Sequence, residues 1–449
     1  MNNKGTRQGS ILVRLLVLFA FVFGAEAQAF LVEDSFETKV SLVGVGSISG
    51  ETLDLSGLDQ TLIPELGTTE DEITPDMKFT NNMLGGISAI AWTGKEDLYW
   101  CLPDRGPLDG AVDWKCRIHQ IRITASPNNR HMANGQSRLS TELVSTILLK
   151  DKRGTAFTGL ASAFEATEKH TRRLDPEGVR VGSNGNLFIS DEYGPRLIEF
   201  LPNGQMVREF EMPRHLTAAK PGDCGATENP LNVSGRSCNR GMEGLAISAD
   251  RKHLFGLIQS PMLQDSYREK MTDYPSGVSC RLPVFETSGA FCTEYLYPLE
   301  NRKNVLNEIL AYDEDRFITI ERDGKAGAEA QCKKLMLISI SDASDIRGVE
   351  KLPPNQLPEA IKGVKKKVFI DLLDPKWNLA GQKMPEKIEG LAFGPDFPNG
   401  DRLLVVASDN DFIRESPTEI FVFRIPKNRP PENRSAENPV SKETFTASR

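Results

Sequence analysis

The chain has 449 residues, 26% of them charged, with a formal net charge of -8 and an isoelectric point near 5.5. This acidic balance argues against a nucleic-acid partner and leaves carboxylates available for cations. Length alone is compatible with two or three ordinary domains or with one large all-β barrel or propeller.

The first residues differ from all that follow. Lys4, Arg7 and Arg14 precede the apolar run "LLVLFAFVFGA", and the small-residue pattern "AEAQA" comes after it. This predicts a secretory signal peptide over residues 1–29, cleaved after Ala27 or Ala29. The run is too short to span a bilayer comfortably, and no later stretch approaches ~18 uninterrupted apolar residues. A secreted or periplasmic protein with no stable membrane insertion after cleavage is expected. Residues 30–426 read as one domain, and the polar, Pro-containing residues 427–449 as a disordered tail.

Seven cysteines suit an oxidising compartment. The expected pairs are Cys224 with Cys238, Cys280 with Cys292 and Cys101 with Cys116, leaving Cys332 odd. A zinc site finds no support, because there is no CxxC pair and the five His residues are scattered.

Four related starts recur along the chain: "GGISAIAW" at 85–92, "PEGVRVG" at 176–182, "MEGLAIS" at 242–248 and "IEGLAFG" at 388–394. Each is followed by a polar turn and a second alternating run, such as "NLFIS" after Ser183-Asn184-Gly185 or "RLLVVAS" after Asn399-Gly400-Asp401. Alternation joined by Asn, Asp and Gly turns is the signature of a β-hairpin. A fifth hairpin, "VLNEILAYDEDRFITIERDG" at 305–324, lacks the Gly start. Outer-strand patterns follow at 197–212, 334–341 and 419–425, and "KVSLVGVGSI" at 39–48 is placed to close the last unit. Four strands per unit predict an all-β propeller of six or seven blades, with long disulfide-containing loops at 213–240 and 261–300. Two stacked sandwiches are the alternative arrangement of the same strands. A weak helical pattern is confined to 158–170.

Inner strands of a propeller line its channel, so acids at equivalent blade positions converge at the mouth. Three units carry Glu before the Gly: Glu177, Glu243 and Glu389. The second strands end in Asp104-Arg105, Asp191-Glu192, Glu321-Arg322-Asp323 and Asp409 with Asp411. Converging carboxylates repel one another unless a cation or protons intervene. Hard oxygens suit Ca2+, which takes six to eight of them. Arg105, Arg322 and Arg196, the last just beyond Tyr193, could hold a phosphate or carboxylate, or could neutralise the acids.

The ordered motifs "GGISAI", "PDRG", "DPEGV", "SDEYGP", "RGMEGLAIS", "IERD", "IEGLAFG" and "SDND" resemble the phytase-like domain family, described by esterase-like activity of phytase, over roughly residues 38–426. That family is similar in fold to the β-propeller phytases, whose calcium ions bind substrate phosphates and activate a water. The resemblance implies an exported propeller hydrolase acting on phosphoric esters. It implies metal ligands at Asp104, Glu177, Asp191, Glu192, Glu243, Glu321, Asp323, Glu389 and Asp409. Glu177, Arg105 and Arg322 would be catalytic, and Arg105, Arg196, Arg322 and Tyr193 would bind substrate. The mouth is less Lys-rich than inositol hexakisphosphate would require. A monomer with a small anionic or ester substrate is expected. The alternatives are a metal-assisted lactonase or carboxylic esterase, without a GxSxG elbow, and a non-catalytic propeller that binds a ligand or protein through its long loops.

Overall fold

A computed structural model describes residues 40–64, 79–125, 137–164, 172–223, 225–270, 275–357 and 359–427. The expected signal peptide, nearly all of the expected tail and Cys224 lie outside the described residues.

Among the described residues twenty strands form the fold. The N-terminal strand β1 (Ser41–Ile48) stands apart from its sequence neighbours. Blade 1 is β2 (Ile87–Trp92), β3 (Leu98–Pro103), β4 (Arg117–Ala125) and β5 (Ser137–Leu148). Blade 2 is β6 (Pro176–Val181), β7 (Leu187–Asp191), β8 (Arg196–Phe200) and β9 (Met206–Glu209). Blade 3 is β10 (Met242–Ile247), β11 (His253–Ile258), β12 (Ser279–Glu286) and β13 (Phe291–Pro298). Blade 4 is β14 (Val305–Ala311), β15 (Arg316–Arg322), β16 (Lys333–Ser339) and β17 (Lys365–Asp371). Blade 5 is β18 (Lys387–Phe393), β19 (Arg402–Asp409) and β20 (Thr418–Ile425), completed by β1.

Strands within a blade are antiparallel neighbours in sequence order. The closing strand sits where the sequence placed it: β1 pairs with β20 from Ser41 opposite Arg424 to Ile48 opposite Thr418. This joins the two ends of the domain in one sheet and covers an edge that would otherwise be open. A short parallel pairing of Gly44 and Val45 with Ser137 and Arg138 links blades 5 and 1 into one eight-stranded sheet.

The inner strands β2, β6, β10, β14 and β18 pack side by side, and β18 returns to β2. Among the described residues the ring therefore closes with five blades, not six or seven. The irregular spacing of the units left their number open along the chain; the described strands account for five. Residues 279–298, expected in a loop, form the outer hairpin of blade 3. Their strand signal is masked by Pro283 and by burial of β12 on both faces.

One apolar cluster fills each interface between blades. Trp100, Leu102 and Ile118 of blade 1 meet Val179, Ile189 and Phe200 of blade 2. Leu197 and Phe188 meet Met242 and Leu254 between blades 2 and 3, and Phe255 packs on Phe317 between blades 3 and 4 with ring centroids 4.4 Å apart. Blade 4 offers Ile318 and Leu335 to Ile388 and Phe423, and blade 5 offers Val405 and Val422 to Ile90 and Ile121 of blade 1. Burial of both faces explains why central strands such as Leu187–Asp191 contain no exposed position.

The six cysteines among the described residues are thiols. Cys101 and Cys116, expected to pair, belong to the clusters on opposite faces of blade 1. Cys101 lies opposite His119, three residues beyond Cys116 on the next strand, so the two are separated along the hairpin by roughly 10 Å. Cys280 pairs with Tyr297, five residues from Cys292, a similar mismatch. Both separations exceed the Cα reach of a disulfide, about 7 Å at most. Cys238 and Cys332 are likewise free.

Candidate active site at the channel mouth

Every inner strand carries a register shift near its start: Ile87/Ala89, Pro176/Gly178, Met242/Gly244, Leu306/Ile309 and Ile388/Gly390. A bulge re-aims the extra side chain and ends regular pairing. The residues inside these five bulges are Ser88, Glu177, Glu243, Asn307 with Glu308, and Glu389, so five equivalent positions face one another at one end of the channel. The Glu-Gly pairing has a packing cause. A Cβ on Gly244 would lie 2.8 Å from Glu308 Cα and 2.8 Å from Ile309 N. One on Gly178 would lie 2.9 Å from Leu245 N. The acid enters the channel, and the following glycine lets the next inner strand approach.

Three carboxylates of this ring, Glu177, Glu243 and Glu389, present oxygens within 4.8 Å of one another. Asn307 holds two of them together, its Nδ2 donating to Glu243 Oε1 at 2.7 Å and Glu389 Oε1 at 2.8 Å. Ser88 Oγ donates to Glu389 Oε2 at 3.2 Å, and Arg322 Nη2 to Glu389 Oε1 at 3.0 Å. Glu243 Oε2 and Asn307 Oδ1 are buried without a hydrogen-bond partner.

Hairpin ends add a second tier. Arg105, after β3, donates from Nη1 to Asp175 Oδ2 at 2.6 Å and from Nη2 to Asp109 Oδ1 at 2.8 Å, and also bonds Asn239. Glu192, after β7, lies with Asp175 and Glu177 in a second group of carboxylates. Asp104, Asp409 and Asp411 form a third, and Lys387 binds both Asp409 and Asp411. Asp104, Arg105, Glu177, Glu192, Glu243, Arg322 and Glu389 all line one cavity of about 260 Å³.

Other expected site residues are placed elsewhere. Asp191 and Arg196 are cross-strand partners at the end of β7 and β8, joined at 2.8 Å, and Asp191 Oδ1 accepts from Asp175 N. They brace the hairpin rather than face the cavity. Tyr193 donates its hydroxyl to Gly159 O at 2.6 Å and stacks against Arg173. Glu321 and Arg322 are consecutive on β15 and point to opposite faces. Arg322 takes the channel side, so Glu321 turns into blade 4, accepting from Lys366 Nζ, Asn304 Nδ2 and Tyr297 Oη. Asp323 accepts from Lys333 Nζ at 2.7 Å and from the backbone N–H of Gln331. Asp409 does not line the cavity; it is paired with Lys387, which does.

Sequence reasoning missed Ser88, Asp175, Asn307, Asn239, Arg240 and Lys387. For Asn307 a signal existed: aligning "LNEIL" with "MEGLA" puts Asn307 at the acid position and Glu308 where the other units have glycine.

The site is charged and secluded. Burial, then the neighbouring Glu243, pushes Glu177 well above the usual carboxylate range. Burial, then Glu192 opposite, does the same to Glu243. Glu192 is pushed up to about 7 by burial and by Asp175, against the pull of Arg105. Burial raises Asp409 to about 8, with Lys387 opposing. Protons or a cation must therefore reside here at neutral pH.

Each of the three carboxylate groups touches a side-chain cation: Lys387 in the third, Arg105 in the second and, at Glu389 alone, Arg322 in the axial one. The axial group, Glu177, Glu243 and Glu389, retains the orphaned oxygens of Glu243 and Asn307. This all-oxygen set fits a hard divalent cation and gives no foothold to a soft one.

A family model described as "Phytase-like: Esterase-like activity of phytase" matches residues 82–412. The chain belongs to this family. The matched span starts in the loop before β2 and ends just beyond Asp411, so it covers every residue of the site. A curated relative, an uncharacterized secreted protein of the fungus Arthroderma benhamiae, is 29% identical over 215 residues, 39% of this chain. The match takes in only 42% of that relative's length. Among solved structures, a putative oxidoreductase (glucose dehydrogenase) of Thermus thermophilus is 11% identical at a TM-score of 0.32, covering 86% of this chain and 99% of its own. A PQQ-bound aldose sugar dehydrogenase of Streptomyces coelicolor is 11% identical at 0.29, covering 86% and 98%. Likenesses this loose say nothing about chemistry.

Proposed function

We propose that this protein is an exported, Ca2+-dependent hydrolase of phosphate esters, working at the acidic mouth of the five-bladed channel. The observation that carries the reading is the axial group: three buried carboxylates within 4.8 Å of one another, with unpartnered oxygens on Glu243 and Asn307 and no resident side-chain cation of their own beyond the Arg322 contact to Glu389. Export is supported by the N-terminal pattern of residues 1–29 and by the description of the fungal relative as secreted. Among the described residues no helix is long and apolar enough to cross a membrane.

Glu177, Glu243 and Glu389, with Asn307 and Glu192 beside them, would hold the cation. Bound there, Ca2+ supplies Lewis acidity toward a phosphoryl oxygen and lowers the pKa of a water. The chain's own residues do the remaining work. Glu177 accepts no hydrogen bond from any described residue, so once a bound cation favours its ionised form one carboxylate oxygen would be free to take the proton of an attacking water. Arg105 and Arg322 form the cationic wall of the cavity and would orient the phosphoryl group and offset charge developing on its oxygens. Asp175 and Asp109 fix Arg105, and Glu389 fixes Arg322, so neither guanidinium must reorganise during reaction. Asn307 and Ser88 keep Glu389 aligned.

The test is phosphate release by the mature protein from a panel of phosphomonoesters and diesters, with Ca2+ or with chelator, alongside elemental analysis of bound metal. Turnover that vanishes with chelator and in Glu243→Gln, with circular dichroism unchanged, is expected. No metal-dependent release from any of them overturns the reading. The engagement of Arg105, Arg322 and Lys387 by internal carboxylates favours, as second reading, a ligand-binding propeller in which Ca2+ only ties the blades together. In that case Ca2+ would stabilise the fold and no ester would turn over.

A further inference from the structure

The cavity at the mouth has a charge balance that restricts what can enter it. Seven acidic and five basic side chains line it, a formal surplus of two negative charges. Of the five cations, Arg105 is bonded to Asp175 and Asp109, Arg322 to Glu389, and Lys387 to Asp409 and Asp411. Arg240 donates to the side chain of Gln259. Lys303 is the exposed one, standing at the rim on the loop before β14. One divalent cation in the axial group would bring the lining to formal neutrality. No large positive surplus exists with or without it.

Size points the same way. The volume of about 260 Å³ falls below the roughly 300–1,000 Å³ of clefts that enclose a drug-sized ligand. The channel offers no room beneath. Arg180 of β6 reaches across to Ile90 O at 3.1 Å and Ile309 O at 2.8 Å and meets Glu308 Oε2 at 2.9 Å, with both side chains buried. Arg180 and Glu308 thus occupy the axis where β2, β6 and β14 face one another.

We infer that the ligand class of this site is a compact ester with a single phosphoryl group, one or two negative charges in all, and not a polyphosphorylated molecule. Each phosphate group brings about -1.5 to -2 charges at neutral pH. Six of them would place on the order of ten negative charges against a wall that is formally neutral with one divalent cation bound. A single phosphoryl group needs only one divalent cation and the two guanidinium groups already fixed in place. The inference rests on the phosphoester reading above, and it is read out by binding so that the two can fail separately.

The probes are phenylphosphonate, a compact dianion that cannot be hydrolysed, and inositol hexasulfate, a non-hydrolysable ring with six fixed charges. Each is titrated calorimetrically into the full mature protein at constant free Ca2+. Phenylphosphonate is expected to bind at least tenfold more tightly than the hexasulfate. Lys303→Glu, an exposed change that does not threaten folding, is expected to weaken phenylphosphonate about threefold, in the range of an exposed charge contact. Hexasulfate binding equal or tighter, binding of neither probe, or phenylphosphonate binding indifferent to Lys303→Glu overturns the inference. Phenylphosphonate binding with no turnover of any phosphoester supports this ligand class while it sinks the hydrolase.

Discussion

Arg180 and Glu308 meet across the channel at 2.9 Å, one level below the carboxylate ring, although their strands are separated by β10. Glu308 also accepts from Leu245 N and Ile309 N. The pair ties blades 2, 3 and 4 together at the axis, and Arg180 also reaches Ile90 O of blade 1. Arg180→Met should destabilise the protein by about 3–5 kcal/mol, because it leaves a buried carboxylate unpaired. Arg180→Met with Glu308→Leu should recover much of that loss. Urea denaturation of the two variants measures the difference, and equal losses would show that the pair is not coupled.

Metal-free protein should lose stability as pH rises from about 5 to 8. Burial and neighbouring acids raise Glu192 to about 7, and burial raises Asp409 to about 8, both above their ordinary values. A folded-state pKa above the unfolded one means that the folded protein binds more protons. Its contribution is complete below the unfolded pKa and disappears as pH passes the folded pKa. Ca2+ should reverse the trend, stabilising by about 2.7 kcal/mol when present at 100 times its Kd. Thermal melts in chelator and in Ca2+ across this range test both signs. A flat profile in chelator contradicts the electrostatic account of the mouth.

Gly244→Ala should cost about 1–3 kcal/mol by overpacking, since its Cβ would meet Glu308 Cα at 2.8 Å. It should also weaken Ca2+ binding, because pushing β10 from β14 moves Glu243 away from Asn307. Gly185→Ala is the control, at a turn with open space but positive φ. It should cost stability without touching Ca2+ affinity, which calorimetry can separate.

Reducing agent should leave the melting temperature unchanged. Cys101, Cys116, Cys280 and Cys292 are thiols held on separate strands or opposite faces of a sheet. Mass spectrometry after alkylation of the unfolded, unreduced protein should find all four modified. A cross-linked peptide joining any two of them would refute the arrangement of blades 1 and 3.

Much of this molecule is local in origin. Hairpins are written in alternation and turn residues, which act over a few positions, so all five inner hairpins and the closing strand at 41–48 were legible along the chain. So were Glu177, Glu243 and Glu389, because each precedes a glycine required by the neighbouring blade. The number of blades was not legible. It depends on the return of β18 to β2, a contact between segments some 300 residues apart that no local pattern encodes. Nor was the sorting of the acids. Glu321 and Arg322 are adjacent in sequence, and only the register of β15 decides that the arginine faces the channel while the glutamate anchors Lys366. Asp191 likewise carries the same charge as Glu192 but is opposite Arg196 in the ladder, which commits it to the hairpin. Residue type determined which side chains could carry charge into the fold; closure of the ring and strand register decided which of them share the mouth.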